Sequence, residues 1–208
     1  MTLVITGLIA LALVVVIGLV WRSASWPCPI WLVPLLETPY FEAVAGAKTL
    51  LERAGIRPGM CVLDAGCRTG RVTVPVATRV GPSGRGVAVD IQQGMLAALR
   101  ERVESKGLTN VELMLAGLGD GNLPADEFDV ALLVTVLGEI PEKLAALREI
   151  HQSLRPGGVL SITEVLPDPH YQGLSHVRTL VADSGFRELS LFRGWLSYTL
   201  NLGKPAAG

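Results

Sequence analysis

Residues 62–71 read VLDAGCRTGR. An apolar run closes on an acid, Asp64, and passes into a loop that holds Gly66 and Gly70. Glycines there let the backbone turn tightly and approach a ligand, and a helix is expected to follow over 70–79. Taken alone, such a loop reads equally well as a tight turn. The order of its residues says more. The acid precedes the first glycine, whereas the dinucleotide fingerprint GxGxxG opens on glycine and aims a helix N-terminus at a pyrophosphate. A loop carboxylate suits a ligand that carries an ammonium group.

Outward from this loop, short apolar runs alternate with amphipathic stretches. Residues 42–54 read as a helix ending at Gly55, and MCVLDA (60–65) as a first strand. After the turn GPSGRG (81–86), GVAVD (86–90) is a second strand ending in Asp90. Residues 92–106 place Met95, Leu96, Leu99 and Val103 on one helical face, and Gly107 stops that helix. VELML (111–115) is a third strand. FDVALLVTV (128–136) is a fourth, apolar on both faces as a central parallel strand is. Residues 141–154 form a helix with Leu144, Leu147, Ile150 and Leu154 inward. Arg155-Pro156-Gly157-Gly158 breaks it, and VLSITEV (159–165) follows as a fifth strand. A helix near 174–184 and strand-like runs at 187–193 and 196–202 close the chain. The alternation predicts a parallel sheet with helices on both faces.

In such sheets ligands sit beyond the carboxyl ends of the strands. Four segments reach that edge: the 62–71 loop, Asp90, AGLGDGNLP (116–124) and TVLGEIP (135–141). A carboxylate placed as Asp90 is can accept two hydrogen bonds from ribose hydroxyls.

The totals exclude several classes. The formal charge is −1 over 208 residues and no Lys/Arg block occurs, so there is no electrostatic footprint for nucleic acid. Cys28, Cys61 and Cys67 are odd in number and lack metal-ligand spacing; they read as reduced thiols, and no metal site is expected. The glycine order and the lack of a Tyr-x-x-x-Lys pair argue against a nicotinamide-dependent oxidoreductase.

Half of the residues are hydrophobic, but unevenly placed. From Thr2 to Trp21 there is no charged side chain. As one helix this stretch would be roughly 30 Å long, about the thickness of the hydrocarbon layer. A cleaved signal peptide fits less well, since no Lys or Arg precedes the run. A core helix fits less well too, because the run has no polar face. Residues 1–22 are therefore expected to be a single transmembrane anchor that engages the lipid bilayer through residues 2–21. Trp21, Trp26 and Trp31 fall where an aromatic belt would sit, and Arg22 favours the C-terminal side as cytoplasmic. Residues 23–41 contain Pro27, Pro29 and Pro34, which forbid one long helix. They read either as an interfacial segment or as a linker packed on the domain, 42–208.

The residues now resemble a known family. VLDAGCRTG looks like the cofactor loop D/E-x-G-x-G-x-G of class I S-adenosylmethionine (SAM)-dependent methyltransferases. VAVDIQQGML (87–96), LPADEFDVALLVTVLGEIP (123–141) and ALREIHQSLRPGGVLSITE (146–164) resemble that family's later motifs. The likeness covers about residues 45–203 and is greatest to the group with the ubiquinone/menaquinone-biosynthesis methyltransferases. It implies a Rossmann-like, seven-stranded, mostly parallel α/β sheet whose last strand is antiparallel. It implies SAM as cofactor, with Asp64, Gly66, Cys67, Arg68 and Gly70 in the loop around its methionine part. Asp90 would hold the ribose, and Ile91, Gly117 and Leu118 would lie beside the adenine. Two positions depart from the pattern. Arg68 replaces the middle glycine, and its side chain either points away or pairs with the SAM carboxylate. Gly117 stands where the family often has an acid, and Asp120 could substitute.

Methyl transfer needs alignment of acceptor and sulfonium and, for some acceptors, a base. Glu139 and His170 are the expected catalytic residues. Each has a plainer reading, Glu139 as a helix-start acid and His170 as part of a surface turn with Asp168. Glu164 lies at the same strand end. The expected function is methylation of a small apolar or membrane-associated acceptor (a lipid, a quinone precursor or a hydrophobic thiol). The alternative is a methyltransferase-like binding or assembly subunit with weakened cofactor binding.

Overall fold

A computed structural model of the chain describes residues 27–33 and 38–206. The elements in chain order are α1 (Pro39–Ala45), α2 (Ala47–Arg53), β1 (Cys61–Ala65), α3 (Thr73–Val80), β2 (Arg85–Asp90), α4 (Gln93–Ser105) and β3 (Val111–Leu115). There follow β4 (Phe128–Val134), α5 (Lys143–Ser153), β5 (Leu154–Val165), α6 (Leu174–Ala182), β6 (Arg187–Arg193) and β7 (Ser197–Gly203). The strands form one seven-stranded sheet in the order β3-β2-β1-β4-β5-β7-β6. β1 to β5 are parallel, and β7 runs antiparallel to both of its neighbours.

The strand period of two sorts the core onto two faces. On β1, Cys61, Leu63 and Ala65 pack with Leu147 and Ile150 of α5 and Val177 of α6. Val62 packs on the other face with Leu50 and Leu51 of α2 and Val76 of α3. Helix α4 buries Met95, Leu96, Leu99 and Val103, the four residues its sequence period selects. Because β1 and β4 are neighbours while β2 lies on the far side of β1, the chain reverses direction across the sheet there. The crevice beyond the ends of β1, β2 and β4 is the place where such sheets bind ligands.

Three boundaries differ from expectation. The helix expected over 42–54 is two helices, because Gly46 is extended (φ −62°, ψ 141°) between α1 and α2. A Cβ at Gly46 would stand 2.4 Å from the carbonyl oxygen of Glu42, so the tight break needs glycine. The helix expected from residue 70 starts at Thr73, since Gly70 adopts φ +88°. Arg155–Gly158 does follow the end of α5, but it already belongs to β5, which starts at Leu154 and not at Val159: Gly157 N–H donates to Lys204 O (3.1 Å) and Lys204 N–H to Gly158 O (2.9 Å).

Among the described residues no helix is long and apolar enough to cross a membrane. The span expected over 2–21 lies outside those residues. Of the 23–41 segment, Pro27–Val33 folds against the domain, with a short 3-10 turn at Ile30–Leu32.

Candidate functional site

A cleft of about 270 Å³ opens at the carboxyl ends of β1, β2 and β4. Of the expected cofactor residues, Gly66, Arg68, Asp90, Ile91, Gly117 and Leu118 line it, and so does Glu139. Val136, Ile140 and Pro141 of the 135–141 segment expected at this edge line it too, whereas the sequence did not mark Gln92 or Pro27, which also line it, as site residues.

Gly66 lies at φ +78°, and a Cβ there would stand 2.5 Å from Val136 Cγ1. Only glycine lets the loop pass that close to the chain leaving β4. Asp90 ends β2 and is buried. Its Oδ2 accepts the backbone N–H of Arg68 and its Oδ1 that of Gln92, both at 2.9 Å. Each oxygen keeps a lone pair for a hydroxyl donor. Burial pushes its carboxyl above the ordinary aspartate range, although the two amides oppose that.

Gly117 has an acid standing in for its missing side chain. A Cβ there would lie 2.3 Å from Asp120 Oδ2, so the Asp120 carboxylate occupies the space that a side chain at 117 would take. Asp120 lines the cleft as well. The 117–123 loop is held by Glu149 of α5, which accepts the N–H groups of Gly119 and Leu123. Nothing in a helical period points to Glu149, whose partners come from a loop some thirty residues earlier.

Arg68 holds left-handed backbone, at φ +51°, of the kind that favours glycine. Its guanidinium turns toward the β4 exit. It donates to Thr135 Oγ1 (2.9 Å), Thr135 O (2.8 Å) and Glu139 Oε1 (2.7 Å). Thr135 is itself at φ +53°. Arg68 thus neither points away nor stands free for a carboxylate ligand; Glu139 satisfies it. The other oxygen of Glu139, Oε2, accepts the N–H of Cys28 (3.1 Å), while Cys28 O accepts Gln92 Nε2 (2.9 Å). The 27–33 segment is thereby strapped across the cleft.

Four expected residues do not line the cleft. Asp64 has the parity of Val62, so its carboxylate faces α3 and accepts the Thr73 hydroxyl at 2.6 Å. Burial pushes its carboxyl up to about 6. Cys67 is buried in the core beside Leu96 and Leu99, and burial pushes its thiol up. Gly70 supports packing: a Cβ there would lie 2.2 Å from Leu99 Cδ1. His170 is buried in the turn after β5, where Asp168 Oδ1 accepts its N–H at 2.7 Å. Its carbonyl lies so near Gly138 that a Cβ there would stand 1.9 Å away, which ties this turn to the β4 exit.

Glu164, near the end of β5, is the most deeply buried acid of the region. Its Oε2 accepts Gln172 N–H (3.1 Å), and its Oε1 has no partner. Burial, with Asp168 nearby, pushes its carboxyl up to about 8, so it holds a proton at neutral pH. Among the described residues no cluster of three or more His, Cys, Asp or Glu is placed to hold a metal ion.

Residues 62–158 match the methyltransferase domain family. The nocamycin O-methyltransferase of Saccharothrix syringae is 35% identical over 130 residues, which are 62% of this chain and 46% of that protein. A ubiquinone/menaquinone biosynthesis C-methyltransferase of Hydrogenovibrio crunogenus is 36% identical over 115 residues, 55% of this chain and 45% of that one. The chain thus spans about half the length of these curated relatives. A SAM-dependent methyltransferase structure from Aquifex aeolicus superposes with a TM-score of 0.79 at 23% identity, covering 85% of this chain and 99% of that one. The fold is the Rossmann-like fold of class I methyltransferases.

Proposed function

We propose that this chain, which carries a methyltransferase domain over residues 62–158, transfers a methyl group from SAM to a small apolar or membrane-associated acceptor. The observation that carries this is the pairing of Asp90 and Asp120 across one cleft floored by Gly66. Asp90 offers two lone pairs to a ribose diol, and Asp120 offers an acceptor to the adenine amine. Ile91 and Leu118 supply apolar surface for the ring between them. Gly66 lets the loop close on the methionine part. Bound SAM would supply the electrophilic methyl on a sulfonium. The Arg68–Glu139 pair sums to zero charge, so Arg68 does not repel that cation. The pair also fixes Glu139 at the cleft wall, whereas Glu164, buried and protonated near the end of β5, stands behind the cleft lining and takes no proton from an acceptor. His170 acts through the turn that carries it.

The anchor reading is part of the proposal. Residues 2–21 hold the protein to a bilayer in a single pass, with the domain on the cytoplasmic side where SAM is made. The charge-free run and Arg22 support this. Titration of SAM into the full-length protein in detergent is expected to give micromolar affinity, and absence of binding up to millimolar SAM would overturn the enzyme reading. That result would favour a binding or assembly subunit instead. The observation on its side is Arg68, which holds a glycine conformation and is already satisfied by Glu139. Alkaline carbonate tests the anchor: protein released into the supernatant would rule out a span.

A further inference from the structure

We propose that the turn between β6 and β7, together with the exit of β5 and the start of α1, is a membrane-docking surface. It presents the mouth of the cleft to the bilayer. The proposal rests on the anchor reading above.

Trp195, in the middle of that turn, is 98% exposed. A tryptophan offered almost whole to solvent is costly unless something covers it. It has apolar company. Leu166 N–H donates to Leu196 O at 2.7 Å, which ties the turn to the β5 exit. The Tyr40 hydroxyl donates to Leu166 O, which brings the first turn of α1 into the same patch. Leu166, Leu196 and Tyr40 are each more than a third exposed. Arg193, also exposed, flanks the tryptophan. Apolar and aromatic side chains with an arginine at their margin are the composition that lodges at the headgroup boundary.

Strand register fixes where this patch points. Ser197 of β7 pairs with Val165 at the end of β5, and Arg193 of β6 pairs with Tyr198. The turn therefore leaves the sheet at its carboxyl edge, the edge on which the cleft opens. β7 is two strands from β4, roughly 10 Å across the sheet. Chain length brings the charge-free segment to that edge. Pro27 lines the cleft, and from Trp21 to Pro27 the chain can span at most roughly 21 Å. A bilayer that holds residues 2–21 thus lies within that reach of the cleft mouth, on the side where Trp195 stands. An apolar acceptor dissolved in the bilayer would then enter the cleft without crossing water.

Two single-tryptophan forms of the full-length chain test this. One keeps only Trp195 (W21F, W26F, W31F), the other only Trp21 (W26F, W31F, W195F). Each is reconstituted into phosphatidylcholine/phosphatidylglycerol vesicles with brominated acyl chains. Both are expected to be quenched about twofold relative to unbrominated vesicles, with blue-shifted Trp195 emission. Quenching of Trp21 with unquenched, water-like Trp195 emission overturns the docking surface and leaves the anchor standing. Blue-shifted but unquenched Trp195 emission also overturns it, because a second copy of the chain would then cover the patch. An unquenched Trp21 overturns the anchor. In that case quenched Trp195 still supports docking of the edge, and unquenched Trp195 overturns it.

Discussion

Asp90 holds two backbone amides before any ligand arrives. Asp90→Ala leaves the N–H groups of Arg68 and Gln92 without their acceptor, so it should cost about 2 kcal/mol of stability as well as weaken SAM about tenfold or more. Urea unfolding and calorimetric titration of the same variant check both, and unchanged SAM affinity would remove Asp90 from the site. Arg68 and Glu139 are coupled through a short, mostly buried ion pair. Removing the arginine alone strands a carboxylate, whereas replacing both relieves it. In a double-mutant cycle of Arg68→Gly and Glu139→Gln, the coupling measured by urea unfolding should be about 1–3 kcal/mol. A coupling near zero would mean the contact contributes nothing. The partner of Arg68 was not legible in the sequence, because it comes from the far side of β4 and depends on left-handed backbone at both Arg68 and Thr135.

The loop after β1 and helix α4 fit together as elements through Gly70 and Leu99. Gly70→Ala adds a methyl group where Leu99 already stands and strains a positive φ, so it should destabilise by about 2–3 kcal/mol. In a Leu99→Ala background the same change should cost about 1 kcal/mol less. Equal costs in the two backgrounds, read from denaturant midpoints, would assign the effect to backbone strain alone. At this scale much of the fold can be read from the sequence. A sheet buried on both faces writes itself as apolar runs, and the one-sided period of α4 selects its four inward residues. The failures have a common cause. The break at Gly46 and the extended Arg155–Gly158 run are decided by contacts that a local period does not encode, such as the pairing of Gly157 and Gly158 with Lys204. The site divides in the same way. Gly66 and Asp90 are legible because strand ends place them. Asp120 folding over Gly117, and Glu149 gripping that loop, join positions whose proximity only the assembled structure provides.

For the whole molecule, the buried acids set the response to pH. Burial raises Asp64 to about 6 and Glu164 to about 8, and raises Asp90 and Asp168 too. An acid whose folded value lies above its unfolded one favours the folded state below the unfolded value, and this contribution is lost as pH rises toward the folded value. The melting temperature should therefore fall between pH 5 and pH 8. Glu164→Gln should flatten much of that slope and add about 3 kcal/mol near pH 8. A scan in which wild type and variant run parallel would show that Glu164 does not set it. Strand β7 has a consequence of another kind. It is buried along its whole length between β5 and β6, yet it is the last of the seven strands in chain order. While a ribosome still covers residues 197–203, β6 has no neighbour to pair with and β5 has an open edge. The sheet can therefore close only after residues 197–203 have left the ribosome, long after residues 2–21 have emerged. Nascent chains arrested with β7 inside the exit tunnel should be cut readily by protease, and released chains should resist it.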